Sequence, residues 1–352
     1  MNTFLLLCLA ASSLAIPTKR VEKAVPYNAL LPNVTIYATG GTIAGSSSSN
    51  TDTTGYTAGS IGVQVLIDAV PEITNVSNVA GIQVANVGSG QLTPSIILDL
   101  SQKIQKSLDS GDSGAVVTHG TDTIEETSFF LDLTVNTTKP IVCVGAMRPA
   151  TAISADGPMN LLQAVTLATT PKAAARGAMI ILNDRIGSAF YTTKTHSNAL
   201  DTFRGGDAGY LGLFLGTKPK FFFEASKATG KPFFDVSKTK ELPKVDIVYA
   251  YQGLDPKAIV DAAKNGAKGI VIAAMGAGSF TKEGNAAVEE AVAEYGVQVV
   301  YSSRTGGGYV PSAGYAGGVA GGFYNPQKAR YLLMLAINAG YTHEQLVEVF
   351  AQ

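Results

Sequence analysis

The chain has 352 residues, 46% hydrophobic and 15% charged, which is enough for two domains with cores of their own. A net charge of −1 and the lack of long basic runs argue against a nucleic-acid partner, which needs a basic face. Its 38 glycines are dispersed, mostly at strand-to-helix turns, and form no low-complexity tract.

The first residues, MNTFLLLCLAASSLA, have the make-up of a signal peptide: an apolar core over 4–11 and a small-x-small cleavage site at Ser13-Leu14-Ala15. The apolar core is too short to span a bilayer, so a secreted protein is expected. Lys19-Arg20 reads as a dibasic processing site over a span of 1–20, with the mature start at Val21 or later. Cys8 falls in this leader. Cys143 alone remains, inside the apolar run 141–144, as a buried packing residue, so the mature chain forms no internal disulfide. Asn33, Asn75 and Asn136 open glycosylation sequons, with Asn33 the least favoured because it abuts the first strand.

From there strands and helices alternate. The apolar runs 34–38, 84–87, 115–118, 141–145 and 178–182 predict strands, and helical spacing covers 63–69, 95–108, 122–133 and 157–168. This order implies a mostly parallel sheet with helices on both faces. Continuous apolar strands such as VVT and IVCV fit a sheet buried on both sides. Residues 217–243 carry prolines, lysines and aromatics without helical periodicity and read as a linker between a domain at 31–216 and one at 244–352. The second set runs 246–251, 256–263, 269–274, 285–293, 297–301 and 327–337. Thr342-His-Glu-Gln345 then starts a last helix with a capping box. The predicted class is α/β: a larger N-terminal α/β domain with a mostly parallel sheet and a smaller C-terminal flavodoxin-like α/β domain.

Two strings carry the chemistry, ATGGTIAG at 38–45 and THGTDTIEET at 118–127. Each follows a strand-like run and breaks into a glycine turn at the carboxyl end of a strand, where open α/β sheets bind ligands. Glycine lets the backbone approach a ligand, and a following helix N-terminus favours an anion or a developing oxyanion. Neither string is a phosphate loop, since no Gly-Lys-Ser/Thr follows. Thr42, Thr121 and Asp122 suggest a hydroxyl nucleophile acting on a small polar substrate, and a threonine needs a neighbouring base or strong polarisation to attack. By residue type alone Thr42 could equally cap a turn, Tyr56 pack a loop, Ser89 fill a turn and Lys194 face solvent. His119, His196 and His343 are far apart and no HExxH or Cys/His cluster occurs, so neither a metal nor another cofactor is expected.

The strings LPNVTIYATGGTIAG, ANVGS, THGTDTIEET, VGAMRP, SADGPMN, TKT and NPQKAR follow one another from about residue 31 to 350. In this the chain resembles the bacterial-type (type II-like, periplasmic and secreted) L-asparaginases, which hydrolyse asparagine to aspartate and ammonia. The resemblance implies Thr42 as nucleophile, Tyr56 as a lid tyrosine that helps activate it, and Thr121, Asp122 and Lys194 as a catalytic triad. It implies Ser89 as the contact of the substrate α-carboxylate and Asp122 as acceptor from the α-ammonium, with Gly90 and Thr121 lining the same subsite. Arg148 and Asp156 read as structural ion-pairing or loop-holding groups rather than substrate contacts, and His119 as a group that shapes the Thr121 loop. The family assembles as homotetramers with sites between the large domain of one subunit and the small domain of another. The expected partners are therefore L-asparagine and further copies of the chain, with no nucleic acid and no membrane, in an extracellular or cell-wall location.

Four departures stand out. Ser89-Gly90 replaces the family's Ser-Gln, with Gln91 one place later. No Asp or Glu lies between Glu294 and Glu344, so the glutamate that the family supplies from a neighbouring subunit, within 305–324 here, is absent. The neighbour's asparagine has no clean equivalent around Tyr251-Gln252-Gly253, and the disulfide that many secreted members have near Leu108 and Thr137 is missing. The first two of these losses predict weak glutaminase activity. Two other readings stay open: an amidase acting mainly on glutamine or a D-isomer, and a secreted binding protein hinged between two α/β domains.

Overall fold

Apolar runs set the strands, and apolar stripes at helical spacing set the helices that cover them. The computed structural model describes residues 20–21, 27–312 and 314–351; the signal segment with Cys8, its cleavage site and Lys19 lie outside them. The N-terminal part runs β1 (Arg20–Val21), β2 (Asn33–Gly40), α1 (Val63–Asp68), β3 (Asn78–Val87), α2 (Pro94–Asp109), β4 (Gly114–Thr118), α3 (Ile124–Thr134), β5 (Ile141–Val144), α4 (Gly157–Thr169) and β6 (Ala178–Leu182). There follow β7 (Arg185–Ser188), β8 (Thr193–Lys194), β9 (Phe203–Arg204), β10 (Gly212–Leu215) and β11 (Lys218–Phe221). The C-terminal part runs β12 (Val245–Tyr249), α5 (Lys257–Lys264), β13 (Gly269–Ala274), α6 (Lys282–Tyr295), β14 (Gln298–Ser303), β15 (Val319–Ala320), α7 (Pro326–Asn338) and α8 (His343–Phe350).

The large sheet has nine strands in the order β1-β3-β2-β4-β5-β6-β7-β10-β11. Its centre, β3 through β6, is parallel, and the strands outside it pair antiparallel. Strand β2 has β3 on one side and β4 on the other, so the winding reverses between β2 and β4. The loops leaving these two strands carry Thr42 and Thr121. A crevice at such a reversal is where this architecture binds ligands. The smaller sheet is four parallel strands, β12-β13-β14-β15. Together the two sheets match the predicted fold class.

Alternation along β2 sorts the core. Val34 and Ile36 join Leu161 and Val165 of α4 on one face, while Tyr37 joins Leu100, Ile104 and Leu131 on the other. A further cluster joins the two parts, with Phe129, Phe130 and Leu133 of α3 against Tyr331, Leu332 and Leu335 of α7. Cys143 is buried and free in β5, as its apolar setting predicts.

The edges of the large sheet differ from the sequence reading. Strand β3 begins at Asn78, ahead of the expected 84, and its early part was missed because Asn78, Gly81 and Gln83 interrupt the apolar run. Strands β7 to β11 were not anticipated. Asn183 and Asp184 both have positive φ (49° and 61°), an Asn-Asp hairpin turn that reverses β6 into β7. Residues 218–221, assigned to the linker, instead form β11 paired to β10. Their sequence, KPKF, hid the strand, yet a proline is tolerated on an edge strand, which β11 is. No described helix is long and apolar enough to cross a membrane.

Candidate active site

Strand β2 ends at Gly40, and Gly41 leads into a single 3-10 turn, Thr42–Ala44. Gly41 has φ 81°, and a Cβ there would lie 2.2 Å from the Cα of Gly120. The two threonine loops therefore touch backbone to backbone, which only glycine allows. Gly41 N–H donates to Val87 O at 2.9 Å, fastening the loop to the end of β3. The Thr42 side chain is buried, and its Oγ1 lies 2.6 Å from the Tyr56 hydroxyl.

Tyr56 stands on a loop strapped across this turn. Ser46 and Thr57 exchange backbone hydrogen bonds, Gly59 N–H donates to Gly41 O and Ile61 N–H to Ala44 O. Asp52 accepts from the N–H groups of Thr54 and Gly55, which shapes the loop and holds its carboxyl below the usual range. The Tyr56 ring packs where a side chain on Gly45 would stand, 2.8 Å from a Cβ built there.

The second loop follows β4. His119 is fully buried between Gly120 O and the Thr127 hydroxyl, each 2.8 Å from a ring nitrogen. Burial pushes its pKa down to about 4, so the ring is neutral and shapes the loop as expected. Beyond it Thr121 is buried and Asp122 is exposed. Lys194, on β8, reaches both: its Nζ donates to Thr121 Oγ1 at 3.1 Å and to Asp122 Oδ1 at 2.7 Å. The Lys194 side chain is only 14% exposed, against 78% for Asp122. Seventy-odd residues separate this lysine from its partners in sequence, and the fold closes that gap.

Ser89 opens a 3-10 turn after β3 and is buried. A Cβ on Gly120 would meet its Oγ at 2.8 Å, and Thr123 Oγ1 donates to its carbonyl at 3.1 Å. Ser89 therefore lies against the Thr121 loop. Gly90 faces open space. Asp156 accepts from the N–H groups of Met147 and Arg148, both at 2.9 Å, while the Arg148 guanidinium bonds Ser154. Both hold the loop after β5, through separate partners. Asn33, the least favoured sequon residue, accepts from Asn78 through its side chain.

A second layer behind the Thr121 loop was not singled out from sequence. Glu125, on the first turn of α3, is buried and accepts from Gln327 Nε2 at 3.0 Å and from Asn325 Nδ2 at 3.3 Å. Lys328, 2% exposed, donates to the carbonyls of Phe190 and Thr192. These partners lie in the string NPQKAR, which the sequence reading used only as a marker.

Known families match nearly the whole described chain. Residues 33–227 match the family described as Asparaginase, N-terminal, and residues 244–350 match the Glutaminase/Asparaginase C-terminal domain. The chain belongs to the asparaginase family. It is 55% identical over 335 residues to a probable L-asparaginase 3 of Schizosaccharomyces pombe, covering 95% of this chain and 92% of that one. It is 50% identical over 315 residues to L-asparaginase 2 of Bacillus subtilis, covering 87% and 83%. Among solved structures, a probable cytoplasmic L-asparaginase from Campylobacter jejuni superposes with a TM-score of 0.87 at 43% identity, covering 91% of this chain and 99% of that one. This asparaginase is thus an amidohydrolase by family, and the hinged binding protein is set aside.

The expectation of a secreted, extracellular enzyme is corrected here. The solved relative that fits this asparaginase over nine-tenths of its length is described as cytoplasmic, so membership of the family does not carry secretion with it. The N-terminal segment that suggested secretion lies outside the described residues. With secretion goes the reason for reading the sequons as glycosylated.

Proposed function

We propose that this asparaginase hydrolyses L-asparagine to L-aspartate and ammonia, with Thr42 as the nucleophile and an acyl-enzyme as intermediate. The observation that carries the reading is the pair of buried threonine hydroxyls on touching loops, each hydrogen-bonded to its own proton-handling partner: Thr42 to Tyr56, Thr121 to Lys194. The family matches and the names of the relatives support the substrate.

Thr42 Oγ1 attacks the side-chain carboxamide carbon, and its proton leaves through the Tyr56 hydroxyl. Loop N–H groups stabilise the oxyanion, and ammonia departs with the proton, leaving an ester on Thr42. A water held at Thr121, polarised by Lys194, then attacks the ester. Aspartate leaves, and the Thr42 hydroxyl is restored. Ser89 takes the α-carboxylate and Asp122 the α-ammonium, a charge-assisted contact. The reaction balances with water alone as co-reactant.

Selectivity for asparagine over glutamine follows from what is missing. Gly90 and the acid-free 305–324 segment remove two groups that would help clamp the α-ammonium. Each lost hydrogen bond to a charge weakens transition-state binding by roughly 1.5–3 kcal/mol, or about 10- to 100-fold. Asparagine still spans from Ser89 and Asp122 to Thr42. Glutamine, one methylene longer, depends more on a tight clamp.

The working enzyme on this reading is a homotetramer with sites completed between subunits. In support, Asp122 stands open to solvent, and β12 is an edge strand with Ile247 and Tyr249 exposed. The test of the whole proposal is ammonia release from L-asparagine, L-glutamine and D-asparagine on purified enzyme. Release from glutamine or D-asparagine in preference to L-asparagine contradicts it.

A further inference from the structure

The N-terminal end of α7 touches β8, which carries Lys194, and α3, which follows the loop that carries Asp122. Lys194 rides on β8, whose ladder with β9 is two residues long, Thr193 to Arg204 and Lys194 to Phe203, and forms a sheet of its own. So short a ladder holds an ammonium poorly to within a few tenths of an ångström. The backbone just before it is held from elsewhere. Lys328 Nζ donates to Phe190 O at 2.8 Å and Thr192 O at 2.7 Å, and Asn325 Nδ2 donates to Thr193 Oγ1 at 3.4 Å. The same Asn325 amide, with Gln327, reaches Glu125, three residues beyond Asp122 on α3. Asn325 Oδ1 meanwhile caps α7 by accepting from Lys328 N–H at 3.0 Å.

We propose that Lys328, seated by Asn325, is a positioning residue that holds the backbone leading into β8 so that Lys194 meets Thr121 and Asp122. The inference rests on the reading of Lys194 as the proton-handling partner of Thr121. Burying an ammonium is costly, and an apolar side chain of similar length would fill the space more cheaply. Burial indeed depresses the Lys328 pKa to about 8, against the opposing pull of Glu125 and Asp132. What the ammonium supplies and a methionine cannot is a pair of directed donors on two carbonyls of the segment leading into Lys194. Catalytic groups tolerate little displacement: about 1 Å costs on the order of 100-fold.

The experiment measures kcat, KM and aspartate affinity for wild type, Lys328→Met, Lys194→Met and the double variant, on assembled full-length protein. In Lys328→Met, kcat falls about 10- to 100-fold while KM and aspartate affinity change less than about threefold, because the Ser89 contact is untouched. In the Lys194→Met background the same substitution changes the residual rate less than about twofold, since no ammonium is left to misplace. A plain folding defect lowers the rate in both backgrounds. A wild-type kcat in Lys328→Met overturns the proposal, as does a loss that persists without Lys194. Wild-type turnover in Lys194→Met overturns it too, and marks the fault as lying in the reading of Lys194. If Lys328→Met does not fold, Asn325→Ser decides by the same split. It keeps a capping oxygen on α7 and drops both amide donations, and a wild-type kcat there overturns the proposal.

Discussion

Thr42 gains its standing from the tyrosine hydroxyl 2.6 Å away and from burial against a loop that glycine brings into contact. Substituting Thr42→Ala removes the attacking oxygen and leaves Ser89 and Asp122 in place. Turnover should fall by several powers of ten with aspartate binding still measurable by calorimetry. A variant that keeps more than about a hundredth of the wild-type rate contradicts the assignment. Gly90 offers a subtler test. Because it faces open space, Gly90→Gln enters without a clash, and it restores an amide beside the subsite for the α-ammonium. The kcat/KM ratio of glutamine to asparagine should rise about tenfold or more. No rise means that Gly90 is not the selectivity element. Most of this constellation was legible in the sequence because its residues stand in short strings around glycine turns. Lys328 was not, since a lysine in a helix reads as solvated until the fold shows what covers it.

Helix α3 carries its own record in pH. Glu126 sits on its first turn, and burial together with neighbouring Glu125 raises its carboxyl to about 7, against the pull of Arg330 from α7. Tyr331 of α7 is raised in turn by burial and by Glu126. Below about pH 4.5 the carboxyl is protonated in both folded and unfolded chains. Between about 4.5 and 7 the folded chain keeps a proton that the unfolded chain has released. The stability it contributes is therefore whole in acid and lost as pH rises through 7. Glu126→Gln removes that loss, so the variant should gain on wild type by on the order of 1–3 kcal/mol at pH 8 and by little at pH 4.5. Denaturant melts at both values measure the difference. A gain equal at the two pH values shows that Glu126 does not titrate as described. At this scale the buried central strands were readable from apolar runs. The outer strands were not: β7 is only four residues long between β6 and β10, and β11, with a neighbour on one side only, carries lysine and proline without penalty.

Across the whole molecule, the two parts are joined by an apolar seam between α3 and α7, while one edge of the small sheet has no strand beside it among the described residues. Strand β12 has β13 on one side and no strand on the other among the described residues. Along it Ile247 and Tyr249 are exposed, Tyr249 by 57%, and Tyr251 just beyond by 49%. An unpaired edge strand with aromatic side chains toward water is a surface that proteins normally cover, and another copy of the chain would do so. The catalytic side is open as well, since Asp122 keeps most of its side chain in solvent although Lys194 is bonded to it. The double substitution Ile247→Lys with Tyr249→Glu should break the assembly while leaving the fold intact. It places opposite charges on a solvent-facing strand, and the Arg304 guanidinium that lies over the Tyr249 ring gains a carboxylate partner. Sedimentation should show a smaller species. If sites are completed between subunits, its specific activity should fall at least about tenfold and recover in part as concentration is raised. Folded monomers with undiminished activity would mean that one chain builds the whole site, and that the acid-free segment 305–324 has no neighbour's substrate to meet.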